Sequence, residues 1–355
     1  MLDTGIDPRE HERQEDANKA TRKAAAAAHA VTVAEAWAAY LAQRRQHWGD
    51  RHYRDHFALV KAGGAPAQRG TRGLGVTIAG PIHPLMALPL RDLTAHVVEA
   101  WAIQEARTRP TSARLAWRCL KAFLGWCSEQ NEYAPVLPPV NPAKTKKTRE
   151  ALGKARVKQD ALMREQLPVW FAAVKQIQNP IIAAYLQTLV LTGARPGEIL
   201  AMQWEDINHH WRGLTIRDKV EGMRVIPLTP YVAQMLAALP KRNQWVYSSA
   251  TAAAGALTIP RSQHNEACKV AGIDNLTLHG LRRSFKSLTE WLEIPAGIVA
   301  QLMGHKPSAT AEKHYTVRPL DLLRIHHEKI EEWILDQAGI NVDTNCLNNR
   351  LRVVV

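Results

Sequence analysis

The chain has 355 residues, which is enough for two or three domains, and its 46% hydrophobic content can supply a buried core in each of them. Its 46 Lys and Arg residues exceed 33 Asp and Glu residues, and the formal charge of +13 favours a polyanionic partner such as nucleic acid over a merely basic protein without such a partner. No apolar run approaches the roughly 18 residues of a membrane span, and the N-terminus lacks the apolar core of a signal peptide, so membrane and exported classes are excluded and a soluble, cytoplasmic protein is expected.

The first 134 residues have a helical pattern. Residues 1–30 combine dense charge with an alanine run, a composition that predicts an exposed linker helix. From residue 31 to 134, apolar side chains such as Trp37 and Trp101 recur at intervals of three and four positions. This spacing predicts an all-helical domain of about four helices with an aromatic-rich core, interrupted by the glycine-rich loop of residues 62–75.

Residues 135–158 begin with prolines, which stop helices, and then become strongly basic. Between positions 141 and 158, seven Lys or Arg residues accompany a single Glu. We interpret this segment as an extended basic linker that follows a phosphate backbone, although a solvated hinge without a partner would have the same composition. The candidate DNA-binding residues of the linker are Lys144, Lys146, Lys147, Arg149, Lys154 and Arg156.

Residues 159–335 alternate between helices and short strands, which predicts a mixed α/β domain and, for the whole chain, a mainly α fold with a small β component. A buried helix is predicted to end at Gly193, and strands at 214–217 and 224–228 are predicted to form a hairpin with its turn at Gly222. Further helices are predicted over residues 195–204, 229–239, 260–271, 279–292, 295–303 and 319–335. Residues 336–355 form a C-terminal tail without an interpretable pattern.

Several polar residues of this second domain stand where they can meet an anion. Arg195 lies at a helix start directly after a glycine break, where a guanidinium can face an anion beside backbone N–H groups. His279 and Arg282 are three residues apart and therefore share a helix face. Lys219 lies near the predicted hairpin turn, and His305 follows a glycine at a helix end. Each residue alone also has an ordinary structural explanation, so only their joint order in the chain indicates a function.

In chain order, these residues resemble the motifs of the tyrosine recombinases, the phage-integrase family of site-specific recombinases. Four segments carry the resemblance: LTGARPGEILAMQWEDI, IRDKVEGMRVIPL, LHGLRRSF and LMGHKPSATAEKHY. They are similar to the family's arginine box, catalytic-lysine hairpin, HxxR box and closing histidine–tyrosine box. The matching residues are Arg195 and Glu198, Lys219, His279 and Arg282, and His305 and Tyr315. Many members have the tyrosine nine residues after the histidine, whereas the interval here is ten, a difference that a loop at Pro307 can absorb.

The resemblance implies that Arg195 and Arg282 clamp the scissile phosphate of DNA. Cleavage by a protein nucleophile adds negative charge at phosphorus, and planar guanidinium groups bind the non-bridging oxygens in pairs. Glu198 is expected to orient a neighbouring arginine or a backbone group. Because fixed cations meet the added charge, no metal and no other cofactor is expected.

The resemblance also implies that Tyr315 attacks the phosphate, forms a 3′-phosphotyrosyl linkage and leaves a free 5′-hydroxyl. A tyrosine with a pKa near 10 is a poor nucleophile at neutral pH, so a neighbour must accept its proton or cations must depress its pKa. His305 is expected to contact the phosphate and assist the tyrosine, and His279 to contact the phosphate and move protons. Lys219 is expected to protonate the leaving oxygen as a general acid.

The resemblance further implies a helical core DNA-binding domain at residues 31–134 and a catalytic domain at residues 159–335. The implied partners are double-stranded DNA with attachment sites, further copies of the chain in a synaptic homo-tetramer, and accessory DNA-bending and excision factors, whereas the free protein is expected to be monomeric or weakly associated. The charged N-terminus resembles the end of a linker helix that follows an arm-type DNA-binding domain, so that domain is expected to be naturally absent or removed. The apolar stripe of residues 319–335 is expected to pack on its own domain or on a neighbouring protomer.

The sequence leaves three other functions open. A catalytically inactive DNA-binding regulator would share the charge and the helical domain, and a type IB topoisomerase-like enzyme would share the tyrosine chemistry. A metal enzyme that uses several of the chain's histidines is the third, although these histidines lack a carboxylate or cysteine set with ligand spacing. The four cysteines show neither a CxxC pair nor zinc-ligand spacing, so reduced thiols are expected.

Overall fold

The structure is a computed structural model that describes Arg13 and residues 31–67, 75–218, 222–305 and 318–341. The chain divides into two compact units, residues 1–156 and 157–355, and each unit has its own hydrophobic core. Of the linker helix predicted within residues 1–30, only Arg13 is among the described residues. Within the described ranges, no helix combines the length and the apolar character needed to cross a lipid bilayer.

The described part of the first unit is built from helices. They are α1 (Val33–Arg44), α2 (Asp50–Val60), α3 (Ala95–Thr108), α4 (Pro110–Ser128) and α5 (Lys146–Leu152). Helix α1 begins at a capping box, in which the Thr32 hydroxyl accepts from the Glu35 N–H and the Glu35 carboxylate accepts from the Thr32 N–H. The helices bury several aromatic side chains in one core, where the rings of Trp37 and Phe123 lie 4.9 Å apart, so the predicted aromatic core is confirmed.

The segment after α4 differs from the extended linker that the sequence predicted. Helix α5 lies within it and is capped by the Thr145 hydroxyl, which accepts from the Thr148 N–H at 3.1 Å. Thr148 and Leu152, four residues apart, are buried, and the helix packs against α3. The prediction of an extended chain was therefore wrong for this part of residues 135–158, because the many lysines concealed a short amphipathic helix.

The second unit combines helices with a small sheet. Its described residues include α6 (Leu167–Lys175), α7 (Pro180–Thr192), α8 (Pro196–Leu200), α9 (Pro230–Ala237), α10 (Arg261–Val270), α11 (Leu278–Leu288), α12 (Ala296–Met303) and α13 (Leu320–Gln337). Strands β1 (Ile207–Asn208), β2 (Gly213–Asp218) and β3 (Gly222–Pro227) form an antiparallel sheet in the order β1-β2-β3. The predicted hairpin and the mainly α fold with a small β component are therefore confirmed, whereas β1 is too short to have shown an alternating pattern.

Helix α7 lies in the middle of this second core and leads to the candidate site. The Asn179 side chain accepts from the Ile181 N–H at 3.0 Å, and Pro180 occupies the first position, where no N–H is needed. The helix is buried from residue 181 to 192. It ends there because Gly193 adopts a φ of +61° and donates its N–H to the Leu189 carbonyl at 3.1 Å, so the predicted end at Gly193 is confirmed.

The C-terminal helix α13 packs against its own unit, which was one of the two arrangements that the sequence allowed. Leu323, Ile330 and Ile334 are buried in the second core. His327 is fully buried with its Nε2 atom 2.9 Å from the Leu191 carbonyl oxygen, and burial lowers the pKa of His327 to about 4. The helix is therefore an integral part of the second unit.

A buried carboxylate on α13 caps the start of α9. Glu331 accepts hydrogen bonds from the Thr229 hydroxyl, from the Tyr231 N–H at 2.8 Å and from the Val232 N–H at 3.2 Å. It takes the place of an N-cap side chain, because the Thr229 side chain makes no such bond to α9 itself. Burial raises the pKa of Glu331 to about 7, which outweighs the opposite effect of its three donors.

We expect Glu331→Ala to destabilise the second unit by roughly 1–3 kcal/mol, because it leaves buried donors without an acceptor. The matched variant Glu332→Ala, at an exposed position of the same helix, should change the free energy of unfolding by no more than about 0.5 kcal/mol. The folded state holds a proton on Glu331 that the unfolded chain releases near its ordinary pKa of 4.5, so the stabilisation by Glu331 declines as the pH rises toward 7. Thermal unfolding should therefore show a smaller loss in Glu331→Ala at pH 8 than at pH 6, and a larger loss at pH 8 would contradict this account.

Candidate active site

The first part of the site is the turn between α7 and α8. Arg195 occupies the N-cap position of α8, where its N–H donates to Glu198 Oε2 at 2.9 Å and its Nη1 donates to Glu198 Oε1 at 2.6 Å. The Glu198 carboxylate is buried, whereas 41% of the Arg195 side chain is exposed. Arg195 is therefore anchored on one side by a buried carboxylate and reaches solvent on the other side, where it can meet an anionic ligand.

The second arginine, Arg282, lies on α11, three residues after His279. It is buried, and its Nη1 donates to the carbonyl oxygens of Gly193 and Met303, both at 2.7 Å. These carbonyls stand at the C-terminal ends of α7 and α12, where the helix dipole places negative partial charge. Arg282 therefore joins two helix ends that are far apart in the sequence.

His305 is positioned by the end of α12. Gly304 has a φ of +71° and donates its N–H to the Gln301 carbonyl at 3.1 Å, and the His305 N–H donates to the Ala300 carbonyl at 2.8 Å, which is the Schellman pattern. The Arg195 Nη2 donates to the Gly304 carbonyl at 3.2 Å. Together with Arg282, it holds the turn of residues 303–304 directly before His305.

Arg224 on β3 links these parts, although the sequence indicated no role for it beyond its place in the hairpin motif. Its Nη2 donates to Glu198 Oε2 at 2.8 Å, and its Nε donates to the Leu302 carbonyl at 3.3 Å. Burial alone would raise the pKa of Glu198, but hydrogen bonds from Arg224 and Arg195 outweigh this effect and lower it, so the carboxylate stays charged. Glu198 and Leu302 are distant from Arg224 in the chain, so only the folded structure identifies these contacts.

The cations of the site act on both exposed histidines. The pKa of His305 is lowered mainly because its side chain is partly removed from water, and further because Arg282 and Arg195 are positively charged. The pKa of His279 is also lowered, mainly because its side chain is partly removed from water. The positive charges of Arg283, Arg282 and Arg195 lower it further. Because the same two arginines act on both imidazoles, these side chains form one cationic cluster. The lowered pKa values favour the neutral form of both histidines, in which the imidazole can donate or accept a hydrogen bond.

The structure thus brings together several of the predicted site residues, namely Arg195, Glu198, His279, Arg282 and His305. The other two, Lys219 and Tyr315, lie outside the described residues. The candidate DNA-binding residues of the basic segment are all exposed and belong to the first unit; they are Lys144, Lys146, Lys147, Arg149, Lys154 and Arg156.

Across the described ranges, no three His, Cys, Asp or Glu side chains come together in a group that could hold a metal ion. Three cysteines of these ranges, Cys119, Cys127 and Cys268, are buried and free, and burial raises the pKa of each thiol.

The fold and the cluster define a two-unit, mainly helical protein with an arginine–histidine cluster in its second unit. A family model described as the phage integrase core-binding domain matches residues 32–150, and one described as the phage integrase family matches residues 162–319. The chain is 43% identical to prophage integrase IntF of Escherichia coli (strain K12), over 97% of this chain and 76% of that protein. The chain therefore belongs to the phage integrase family, and it is a tyrosine-type site-specific recombinase, as the sequence motifs predicted.

Solved structures with the same fold come from lambda integrase. A lambda integrase dimer bound to a COC′ core site has a TM-score of 0.60 and 18% sequence identity, covering 82% of this chain and 81% of that chain. A lambda integrase tetramer bound to a Holliday junction has a TM-score of 0.58 and 18% identity, covering 79% of this chain and 80% of that chain. At this level of identity, the likeness establishes the fold.

We expect Gly304→Ala to impair recombination strongly. Alanine would be strained at a φ of +71°, at a cost of about 1–2 kcal/mol, and its Cβ would lie 2.7 Å from the Arg224 guanidinium carbon, so either that guanidinium or the turn before His305 must shift. A displacement of about 1 Å at a reacting group can reduce the rate on the order of 100-fold. The matched variant Gly197→Ala, where an added Cβ meets nothing within 4 Å, should retain or slightly raise the thermal stability. Wild-type strand cleavage by Gly304→Ala in a single-turnover assay would contradict the assigned position of this turn.

Proposed function

We propose that this recombinase cleaves and rejoins double-stranded DNA at the attachment sites of a mobile element through a covalent 3′-phosphotyrosyl intermediate, and that it integrates and excises that element. One observation carries the proposal for the described residues. Arg195 and Arg282, which come from two separate motifs, both bind the turn of residues 303–304 that precedes His305. Two guanidinium groups and an imidazole are therefore held around one place by the fold.

The role assigned to the arginines is to bind the scissile phosphate. The attack adds negative charge to phosphorus, and preorganised cations stabilise this charge without reorganising during the reaction. Arg195 is supported by the buried Glu198 carboxylate, and Arg282 is supported by two backbone carbonyls. Such support keeps each guanidinium in place when no phosphate is bound, so less ordering is required on binding.

Tyr315 is assigned as the nucleophile. Its oxygen forms a bond to the phosphorus while the bond from phosphorus to the 5′-oxygen breaks, and the phenol proton leaves to a neighbouring base. His305, whose lowered pKa favours the neutral form, is the assigned phosphate contact and assistant to the tyrosine, and His279 is assigned to phosphate contact and proton movement. The departing 5′-oxygen takes a proton from Lys219, the assigned general acid.

Rejoining reverses these steps with a different strand. The 5′-hydroxyl of a partner strand attacks the phosphotyrosyl phosphorus, returns its proton, and releases Tyr315. Because the covalent linkage conserves the phosphodiester bond energy, strand exchange needs neither ATP nor another cofactor.

Residues 31–134 of the first unit are assigned as the core DNA-binding domain, and the basic segment of residues 135–158 is assigned to the phosphate backbone. Residues 159–335, in the second unit, are assigned as the catalytic domain. The exposed lysines and arginines of the basic segment support this assignment. Assembly as a homo-tetramer is supported by the fold shared with the lambda integrase tetramer, which was solved on a Holliday junction. We further assign accessory DNA-bending and excision factors as partners and the cytoplasm as the place of action, where the DNA substrate lies.

We expect Tyr315→Phe to bind attachment-site DNA with unchanged affinity and to form no covalent adduct, because the variant lacks only the nucleophilic oxygen. The measurement uses a nicked attachment-site substrate in the presence of a chelator, with the covalent complex resolved on a denaturing gel. The wild type should form the adduct under the same conditions, and Tyr231→Phe serves as a matched control, since Tyr231 is distant in sequence and bonded to Gln187. An adduct formed by Tyr315→Phe would overturn the assignment of the nucleophile.

We expect DNA binding to weaken steeply with salt. If 6–10 phosphates are neutralised, the affinity should fall about 10³–10⁵-fold between 50 and 200 mM salt. Lys147→Gln in the basic segment should reduce the slope of log affinity against log salt by about 1, whereas Lys175→Gln, an exposed lysine at the end of α6, should leave the slope unchanged. An equal slope for Lys147→Gln and the wild type would remove Lys147 from the phosphate-binding surface.

A further inference from the structure

The segment that opens the second unit is fastened to the start of α11 by one carboxylate. Asp160 Oδ2 accepts from the Thr277 N–H at 2.9 Å and from the Thr277 hydroxyl at 2.6 Å, and Thr277 is the N-cap of α11. Arg283 Nη2 donates to Asp160 Oδ1 at 2.5 Å, and its Nε donates to the Asp160 backbone carbonyl at 3.1 Å. The Asp160 side chain is only 11% exposed, so this is a shielded ion pair and not a surface contact.

Two neighbouring contacts bring the segment and the helix still closer together. The Ser284 hydroxyl accepts from the Leu162 N–H at 2.7 Å. A Cβ at Gly280 would lie 2.7 Å from Asp160 Oδ2 and 2.9 Å from the Asp160 carbonyl oxygen, so only glycine allows this approach. The contacts therefore fix the first two turns of α11 relative to residues 160–162.

These two turns carry both site residues of the HxxR box. Arg283 is four residues after His279, so the two side chains stand on the same side of α11. The charged groups that act on His279 are Arg283, Arg282 and Arg195, which are positive, and Asp160, which is negative. Burial works against ionisation of Asp160, but its hydrogen bonds with Thr277 and the charge of Arg283 outweigh it and lower the pKa of Asp160, so the carboxylate is charged.

We propose that Asp160 and Arg283 are positioning residues of the recombination reaction, which hold the first turn of α11 and keep a balanced pair of charges beside His279. Asp160 acts mechanically through Thr277 and electrostatically through Arg283. The inference rests on the proposed role of His279 at the scissile phosphate. It also gives the segment that opens the second unit a direct effect on the site.

Two single variants separate charge balance from simple loss of structure, because both break the same ion pair. Asp160→Asn keeps the size of the side chain and an oxygen for Thr277, but it leaves the positive charge of Arg283 without its partner. Arg283→Gln leaves the negative charge of Asp160 instead. The pKa of His279 should therefore fall in Asp160→Asn and rise in Arg283→Gln, whereas a merely structural role predicts a change in the same direction for both.

The test measures the His279 imidazole titration by NMR in the full-length chain, and single-turnover cleavage of attachment-site DNA. We expect opposite pKa shifts in the two single variants, a return close to the wild-type value in the double variant Asp160→Asn/Arg283→Gln, and cleavage slowed about tenfold or more in each single variant with DNA affinity within about twofold. Glu165→Gln, which removes an exposed ion pair with Arg164 at 3.3 Å, should match the wild type in every measurement.

Shifts in the same direction, or a double variant that keeps the shift of either single variant, would overturn the positioning role. Unchanged cleavage rates in both single variants would overturn its connection to the reaction. The variant His279→Ala distinguishes this failure from failure of the proposed function. Wild-type cleavage by His279→Ala would remove the catalytic role of His279 and the catalytic part of the inference with it, whereas same-direction shifts would leave that role intact.

Discussion

The candidate active site depends on the buried cation of Arg282. A charge with only 8% of the residue exposed must be met by polar groups, because removing it from water is costly. The protein meets it with the carbonyl oxygens of Gly193 and Met303, at the C-terminal ends of two helices, where the aligned peptide dipoles favour a positive charge. The contact that stabilises the cation therefore also fixes α7 relative to α12. Arg195 follows the first helix and His305 follows the second, so one interaction sets the distance between two parts of the site.

A second group of charges joins the sheet to the same place. Glu198 accepts from Arg195 and from Arg224, so one buried carboxylate holds an arginine of the α8 turn and an arginine of strand β3. Removing one charged partner from such a network leaves an uncompensated buried charge, which strongly destabilises the folded state. The exposed side of the Arg195 guanidinium is accessible to an anionic ligand.

The hydrophobic core of the second unit also contacts the C-terminal end of α7. A Cβ at Gly193 would lie 2.5 Å from a ring carbon of Phe285, so glycine is required there by contact as well as by its positive φ. The His327 ring is nearly perpendicular to the Phe285 ring, with centroids 6.0 Å apart, and its Nε2 lies against the Leu191 carbonyl. Helix α13 thus reaches the end of α7 through a buried histidine. The C-terminal helix is in this way connected to the position of Arg195, although it contributes no residue to the cationic cluster among those described.

The sequence by itself determined the order of the helices, the hairpin, the end of α7 at Gly193 and the motif residues of the family, because these depend on local periodicity, on glycine and proline, and on fixed spacing. It did not reveal helix α5, whose two buried residues are concealed among lysines. Only the tertiary structure decided which partners these charged residues have. Arg224 binds Glu198, Arg282 binds the carbonyls at two helix ends, and Arg283 binds Asp160. These contacts join residues 21 to 123 positions apart, and no local pattern encodes them, since a buried ion finds its partner through the packing of whole elements.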